Sequence, residues 1–518
     1  MINNKKNTRL VSMLLAILML ASGTVFAGCS EGGNEETKPT TKDTTAESVS
    51  SGETTADSET EVETTDGLIG LEVGYDWQAG VTKKDYGGAD YTILNGNTAS
   101  WYSYLTITSE EMTGEAVNDA IYTRTLRTNE FLNVNIVESQ QGGSQDVLRK
   151  AVTSGVKDYD LALCTLMNCY ALSIEGNVLE LNSQVPNLNM SGSWWDQNSI
   201  NDLTINNKLY FVTSDFDTTR FDSIRSLYFN KDLINELNLE NPYDIVDSGK
   251  WTLDKFTELA EKAVSDSDGD GVMTDMDSYG YICYGELAGD LLFAGTGLKY
   301  IDKDPETGML IDGTTTEKTI DVYDKIRKIL WEGNTTFDVR QSRYNSYLRG
   351  KGERVQEELF TEGRVLFYSE CMAWTRVLRE MEADFGVLPP PKYDEAQDRY
   401  YSIMINPYMQ MIPVTVEDPE MSGHVLDVLA AASHDTVVDA YVNVTLSGKV
   451  ARDADTVRML RLVFDNLAYN IHFTTVPIRS TISSAVTTGN ENLASSLKKI
   501  SKATTKTLNK TNEEFFGE

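Results

Sequence analysis

The stretch YDLALCTL at Tyr159–Leu166 is a nearly continuous apolar run, and it decides the fold that we predict. A run of this kind is typical of a strand buried on both faces of a parallel sheet. Toward the N-terminus, Tyr91–Leu94 and Val134–Val137 also read as strands, and Ala116–Leu132 and Ser144–Ser154 read as helices. This alternating order predicts an α/β domain with a parallel sheet, right-handed crossovers and helices on both faces.

Two loops follow the carboxyl ends of these predicted strands, Asn95–Tyr104 and Thr165–Tyr170. Ligands of parallel sheets bind beyond the carboxyl ends of the strands. These loops are therefore the first place to look for a binding site.

The second half of the chain continues the alternation. Ser226–Lys231 predicts a strand, and Trp251–Val264 predicts a helix that the hydroxyl of Thr252 caps. The C-terminal part is largely helical, with Ala451–Asn466 and Asn492–Leu508 as its clearest stretches.

Size and charge narrow the class of protein. About 450 residues follow Leu68, enough for two or three domains with a large core. The chain has 79 acidic and 45 basic residues and a net charge of −34. Nucleic acids and anionic lipid surfaces require clustered Lys and Arg, so neither is an expected partner.

The N-terminus has the pattern of a secretory signal. A basic start is followed by a short apolar run, Leu10–Ala21, and then by small residues up to Gly28. Phe26–Cys29 resembles the lipobox of bacterial lipoproteins, although Phe26 replaces the usual Leu. The resemblance implies a signal peptide over 1–28 and acylation of Cys29, for example by palmitate. The alternatives are an ordinary secreted protein or a retained anchor.

Residues 29–67 are rich in Ser, Thr and Glu and contain few apolar residues. Such a segment cannot bury enough apolar surface to offset the entropy of ordering it. We therefore expect a disordered acidic linker between a lipid anchor at Cys29 and the folded part.

The remaining cysteines are Cys164, Cys169, Cys283 and Cys371, and none forms a CxxC pair. With only three histidines in the chain, a zinc site is not expected. Buried free thiols are the favoured state, and a disulfide between Cys164 and Cys169 is the alternative outside the cytoplasm.

Three stretches carry a family resemblance. They are Leu227–Leu233 leading to Trp251–Ala263, Phe360–Phe367 with Trp374, and Asp384–Lys392. In this order and spacing they resemble the extracellular solute-binding proteins of ABC importers (family 1), the class that includes maltose-binding protein.

The resemblance implies a two-lobe, periplasmic-binding-protein-like α/β fold with parallel-rich sheets and a hinge. Lobe 1 would comprise 68–221 and 405–451, and lobe 2 would comprise 222–404 and 452–518. A monomer on the outer face of the cell membrane would hold a small solute between its lobes and pass it to the permease subunits. The solute would be a sugar or oligosaccharide.

Aromatic rings and carboxylates are the candidate ligand contacts, because rings stack on sugar C–H faces and carboxylates accept hydroxyl hydrogen bonds. Two candidates lie in the first predicted loop, three in a polar-flanked aromatic cluster, one in a turn and one where the family often has a stacking aromatic. They are Trp101, Tyr102, Trp194, Trp195, Asp196, Asp215 and Trp374. The alternative for each Trp is packing in the core, and Asp215 is equally compatible with an ordinary turn.

The stretch beginning DSDGDG at Asp266 matches a calcium-binding loop. Its carboxylates stand at positions one, three, five and twelve (Asp266, Asp268, Asp270 and Asp277), with Gly271 at position six. The residues after Asp277 do not resemble the exit helix of an EF-hand. The sequence therefore predicts structural calcium, with a solvated acidic turn as the alternative.

No catalytic motif of the GxSxG, HExxH or Walker type occurs in a suitable setting. We expect a binding protein without catalytic residues. A surface glycan-degrading enzyme and a ligand sensor for a signalling partner are the alternatives.

Overall fold

The computed structural model describes residues 76–341, 355–378, 381–446, 453–471 and 475–517. Cys29, the predicted signal peptide and the linker 29–67 lie outside these residues. In the described part, no helix is both long and apolar enough to span a membrane.

The described residues form a mixed α/β structure with two main sheets and a short two-stranded ribbon. The strands are β1 Ala89–Asn95, β2 Val134–Gln140, β3 Leu161–Thr165, β4 Ile224–Asn230, β5 Tyr279–Cys283, β6 Ile301–Lys303, β7 Leu310–Asp312, β8 Thr336–Asp338, β9 Val365–Cys371, β10 Phe385–Leu388, β11 Ser402–Met404, β12 Tyr408–Met411 and β13 Leu467–Ala468.

Helices flank both sheets. They are α1 Ala116–Leu132, α2 Ser144–Ser154, α3 Leu166–Ile174, α4 Leu181–Gln184, α5 Gln197–Leu203, α6 Thr219–Asp222, α7 Lys231–Glu236, α8 Pro242–Asp247, α9 Leu253–Glu261, α10 Gly285–Gly295, α11 Glu317–Trp331, α12 Val355–Thr361, α13 Thr375–Leu378, α14 Pro419–His434, α15 Ala454–Asp465, α16 Ile478–Thr488 and α17 Leu493–Phe516. Short 3₁₀ segments span Trp77–Gly80 and Met372–Trp374, and Asp439–Leu446 is a π-helix.

The first sheet has the order β12-β3-β1-β2. Strands β1, β2 and β3 are parallel, as predicted, and β12 is antiparallel to β3. Strand β3 lies between β1 and β12, and its first four residues are fully buried, which explains its continuous apolar sequence. Asn133 ends α1 in the left-handed conformation with φ 48°, and β2 begins at the next residue.

The second sheet has the order β13-β11-β4-β9-β5-β8, and β10 also pairs with β4. The pairs β5–β9, β5–β8 and β11–β13 are parallel. Strand β4 is antiparallel to β9, β10 and β11. The sheets are thus parallel-rich but not purely parallel, and each forms the centre of one lobe.

Within the described residues, the chain crosses between the two sheets at two places. The first crossing is α6, which leads into β4, and the second is the short link between β11 and β12. In that link Asn406, directly before Pro407, has φ 52°, in the left-handed region. The strands of each sheet fall within the predicted lobes, and the exact lobe boundaries stay predictions.

Helices α1 and α2 have the predicted bounds, Ala116–Leu132 and Ser144–Ser154. The predicted strand Tyr159–Leu166 is shorter in the structure, because the chain turns at Thr165 and Leu166 begins α3. All four described cysteines are buried free thiols, which confirms the favoured prediction over a Cys164–Cys169 disulfide.

The candidate ligand-binding cleft

A cavity of about 270 Å³ lies between the two lobes. Leu166 and Met167, which directly follow β3, line it from the first lobe. Leu287 and Asp290, in the helix that follows β5, line it from the second lobe. The cavity therefore lies where parallel strands of both sheets end, and it includes part of the predicted loop Thr165–Tyr170.

The second crossing forms one wall of this cavity through Ile403–Asn406. The hydroxyl of Tyr102 donates to the carbonyl oxygen of Asn406 at 3.1 Å. Trp101 stacks on Tyr102, with 3.7 Å between ring centroids and 27° between ring planes. The predicted loop Asn95–Tyr104 thus contacts the crossing, with Tyr102 buried and Trp101 partly exposed.

One ion pair supplies the charged groups of the cavity. Arg479 Nη2 lies 2.5 Å from Asp290 Oδ2, and the hydroxyl of Tyr300 donates to Asp290 Oδ1 at 2.6 Å. Burial, followed by the nearby Asp290 charge, raises the pKa of Tyr300 well above its ordinary value, so its hydroxyl stays protonated. The described residues that line the cavity include no further acid, Lys, Arg or His, so the two charges balance.

Aromatic rings contribute to a wall that is otherwise mostly aliphatic. Phe293 and Tyr300 stack with 4.9 Å between centroids and 10° between planes. Tyr469, which follows β13, also lines the cavity. The wall combines flat apolar faces with a few fixed polar groups, which is the usual character of a small-molecule site.

The two predicted loop tryptophans are packed inside the first lobe. Trp194 and Trp195 are 4% and 2% exposed, and their indole N–H groups both donate to Asp427 Oδ1, at 2.8 and 2.9 Å. Burial raises the pKa of Asp427. In this conformation the pair and its shared carboxylate form part of the lobe core.

Asp196 and Asp215 belong to a buried network beside the cavity. Arg220, in the first crossing, lies 2.9 Å from Asp215 and 4.0 Å from Asp196. His434 contacts Asp215, and the hydroxyl of Tyr469 donates to Asp196 at 2.8 Å. Asp196 therefore contacts a cavity-lining ring, and its other oxygen caps α5 through the N–H of Ser199.

Trp374 follows the carboxyl end of β9 and is partly exposed. It does not line the 270 Å³ cavity. Nearby, Glu370 at the end of β9 forms a buried ion pair with Arg225, 2.8 Å apart. The seven predicted contacts thus do not form one cluster, and none of them is among the residues that line the cavity.

The acidic loop brings three carboxylates together. Oxygens of Asp266, Asp268 and Asp270 lie within 4.8 Å of one another, and all three residues are exposed. Asp277 is buried, and its oxygens accept the backbone N–H groups of Ser267 and Thr274, each at 2.7 Å. The structure therefore groups three of the four predicted ligands.

Sequence reasoning missed Asp290, Tyr300, Tyr469 and Arg479. Asp290 did carry a signal, because it interrupts the apolar run of α10, where a charge must find a partner. Its partner, Arg479, is 189 residues away in sequence. No local pattern connects the two.

No family model and no curated protein matches the chain. Solved structures do match. A cyclo/maltodextrin-binding protein complexed with maltotetraose is 14% identical, with a TM-score of 0.54, over 82% of this chain and 99% of that one. An ABC substrate-binding protein from Listeria monocytogenes in complex with cycloalternan is 11% identical, with a TM-score of 0.52, over 82% and 99%. A cyclic alpha-maltosyl-1,6-maltose binding protein from Arthrobacter globiformis is 14% identical, with a TM-score of 0.54, over 82% and 99%.

At these identities the likeness concerns the fold, and nearly the whole length of each of these proteins is matched. The two sheets, the crossings and the cavity between the lobes agree with it. The chain has the two-lobe fold of these three carbohydrate-binding proteins, one of which is an ABC substrate-binding protein.

Proposed function

We propose that the protein captures an extracellular carbohydrate between its lobes and delivers it to the permease of an ABC importer. The observation that carries this proposal is the interlobe cavity, with its stacked rings and its single balanced ion pair. The structures that share the fold include proteins complexed with maltotetraose and with cycloalternan, which supports a saccharide ligand. Binding would favour a closed form for the permease to recognise.

The charge balance of the cavity favours a neutral sugar. Asp290 is already neutralised by Arg479 and hydrogen-bonded by Tyr300, so a ligand carboxylate or phosphate would enter without a free counter-charge. Burying an unpaired charge is costly. The volume of about 270 Å³ lies near the lower end of typical ligand pockets, about 300–1,000 Å³, which favours a short saccharide.

Calorimetric titration with maltose, maltotriose and maltotetraose tests the proposal. At a ligand concentration of 100 Kd, binding stabilises the folded state by about 2.7 kcal/mol, which also raises the melting temperature. Maltobionic acid, which carries a carboxylate, should bind about tenfold more weakly than maltose, a difference of about 1.4 kcal/mol. Chromatography of the recovered sugar should show no conversion, and a converted product would favour the enzyme alternative.

The aromatic residues at the crossing and after β9 are the proposed ligand contacts outside the cavity wall. Trp101→Ala and Trp374→Ala should each weaken sugar binding at least tenfold and leave the unliganded melting temperature nearly unchanged. Trp331→Ala is the matched control, because Trp331 is also partly exposed but lies in α11, where its indole N–H donates to the carbonyl oxygen of Val486 in α16. Normal binding by either cleft variant removes that tryptophan from the proposed site.

We further propose that Cys29 anchors the mature protein to the outer face of the cell membrane. The support for acylation is the sequence pattern alone. Acyl chains on Cys29 would hold the protein at the membrane, because each buried methylene adds about 0.8 kcal/mol of membrane affinity. Cells fed labelled palmitate should label the parent protein and not Cys29→Ala. Release of an unlabelled parent protein into the medium contradicts the anchor.

The acidic loop is proposed to hold a structural calcium ion. Three carboxylates are the oxygen ligands that calcium prefers, and Gly271, at the sixth position, has the φ of 81° that the sharp turn requires. Hydrogen bonds from the N–H groups of Gly271 and Gly269 lower the pKa of Asp266, which keeps it ionised. A chelator should lower the melting temperature of the parent protein and have no effect on Asp268→Ala, which lacks the third-position oxygen ligand. An equal melting temperature with and without chelator excludes structural calcium.

A further inference from the structure

The C-terminal helix α17 is basic in a strongly acidic protein. Its lysines are all exposed, and no ion pair in the described ranges uses one of them. They are Lys498, Lys499, Lys502, Lys506 and Lys510. Four of them are spaced three or four residues apart, so they form one stripe along the solvent-facing side of the helix.

Beside this stripe lies a groove of about 510 Å³ between α17 and α3. Its floor is apolar and comes from both helices: Met167, Ala171 and Ile174 from α3, and Ala503 from α17. Lys506 and Lys510 line it on the α17 side. The groove thus pairs an apolar floor with a basic rim.

Two acidic residues also line the groove. Glu175 is already paired with Arg149 at 2.6 Å, so its charge is largely compensated. Glu514 is exposed near the C-terminal end of α17. The free charge along the rim is therefore mainly positive at Lys506 and Lys510.

The groove joins the two lobes. Helix α3 follows β3 of the first sheet, whereas α17 packs on β7 and α16 of the second lobe. Met167 lines both this groove and the ligand cavity. A change in the lobe arrangement around a ligand would therefore change the groove as well.

We propose that this groove, formed by α3 and α17, docks an acidic, amphipathic protein segment presented by the membrane permease. The proposal rests on the proposed transport function. A net charge of −34 repels an acidic partner over most of the surface, so the lysine stripe fixes where and in which orientation the partner meets the protein. The concave apolar floor suits side chains of a peptide better than a flat lipid surface.

Charge reversal tests the docking surface in cells. The double variant Lys506→Glu/Lys510→Glu should reduce uptake of the bound sugar by about tenfold, while the purified variant binds that sugar with unchanged affinity. The matched control is Lys150→Glu/Lys328→Glu, which makes the same charge change at two exposed lysines on α2 and α11. The control should transport normally.

The outcomes separate the two proposals. Normal uptake by Lys506→Glu/Lys510→Glu overturns the docking surface and leaves the proposed function standing. A parent protein that binds none of the sugars tested overturns the proposed function itself. Equal loss of uptake in the control variant also overturns the docking surface, because the effect then follows net charge.

A photo-cross-linking residue in place of Ala503, on the floor of the groove, identifies the occupant. We expect an adduct with an acidic segment of a membrane protein, enriched when the sugar is present. An adduct with a second copy of this chain overturns the proposal. A second result would also overturn the proposal. If the parent protein co-sediments with phosphatidylglycerol vesicles and Lys506→Glu/Lys510→Glu does not, the lysine stripe binds lipid.

Discussion

Among single residues, Asp217 in the approach to the first crossing is the clearest pH-sensitive group. It is 3% exposed, and burial raises its pKa to about 6, although the hydroxyl and N–H of Thr219 donate to it. An unfolded aspartate titrates near 3.8, so the folded state binds more protons between about pH 4 and 6. Stability contributed by this group is therefore lost as the pH rises through that window.

Asp217→Asn should remove the loss of stability that occurs as the pH rises. Above pH 6 the buried charge costs about 3 kcal/mol, and Asn keeps an acceptor for the N–H of Thr219. Urea unfolding at pH 4.5 and 7.5 measures the effect. The variant should gain stability relative to the parent protein at pH 7.5 and much less at pH 4.5. If the variant and the parent protein differ in free energy of unfolding by the same amount at both pH values, the raised pKa of Asp217 is contradicted.

Arg220 is the second residue with a large expected effect. Its single positive charge lies 2.9 Å from Asp215 and 4.0 Å from Asp196, both buried, so Arg220→Met would remove the arginine cation from beside both carboxylates. Removing one partner of a buried ion pair costs about 3–5 kcal/mol. Arg458→Met is the control, because Arg458 pairs with exposed acids and should cost at most about 1 kcal/mol. Chemical denaturation measures the free energy of unfolding of both variants. Equal losses of stability would contradict the role of burial.

Among the structural elements, α9 shows how local chemistry sets a helix start. Thr252 Oγ1 accepts the backbone N–H of Lys255 at 3.3 Å, as the sequence predicted. Thr252→Ala should destabilise the protein by about 1 kcal/mol, whereas Thr252→Ser should retain most of the cap. Thermal unfolding distinguishes them, and equal melting temperatures for the two variants contradict the cap.

Elements governed by local patterns were predictable, and those governed by distant contacts were not. The predicted helix Asn492–Leu508 is too short, because the apolar periodicity fades there while α17 continues to Phe516. A polar anchor holds this extension, since Asn512 exchanges two side-chain hydrogen bonds with the backbone of Leu310, at 2.8 and 3.0 Å. A hydrophobic pattern cannot reveal such a contact.

The candidate cleft shows the same limit. The rule for parallel sheets placed Thr165–Tyr170 near the site, and Leu166 and Met167 do line the cavity. The pair Asp290–Arg479 joins helices that are far apart in sequence. Sequence alone could thus indicate the edge of the sheet but not the polar groups that face it.

At the scale of the whole molecule, the C-terminus of α17 ties the second lobe to the first. Lys208 Nζ donates to the carbonyl oxygen of Phe515 at 2.7 Å, and the side-chain amide of Asn206 donates to the same oxygen at 3.0 Å. A cation at the C-terminus of a helix is favourable, and a hydrogen bond from a charged donor is worth about 1.5–3 kcal/mol. This contact stabilises the arrangement of lobes described above.

Lys208→Met should therefore shift the protein toward a more open arrangement. The expected results are a larger radius of gyration by small-angle scattering and up to about tenfold weaker sugar binding, since Lys208 does not line the cavity and acts through lobe closure. Lys150→Met, an exposed lysine without such a contact, serves as the control. An unchanged radius of gyration and an unchanged sugar affinity would show that the Lys208 contact does not affect lobe closure.

The buried thiols have a practical consequence for observing this motion. Burial raises the pKa of Cys164 and of Cys371 to about 12, so almost no reactive thiolate is present at neutral pH. In a chain produced without Cys29, a maleimide dye should therefore ignore the native sulfurs. New cysteines at Lys150 and Lys328, one exposed position in each lobe, would then carry a fluorophore pair whose energy transfer reports the distance between lobes during a single binding event.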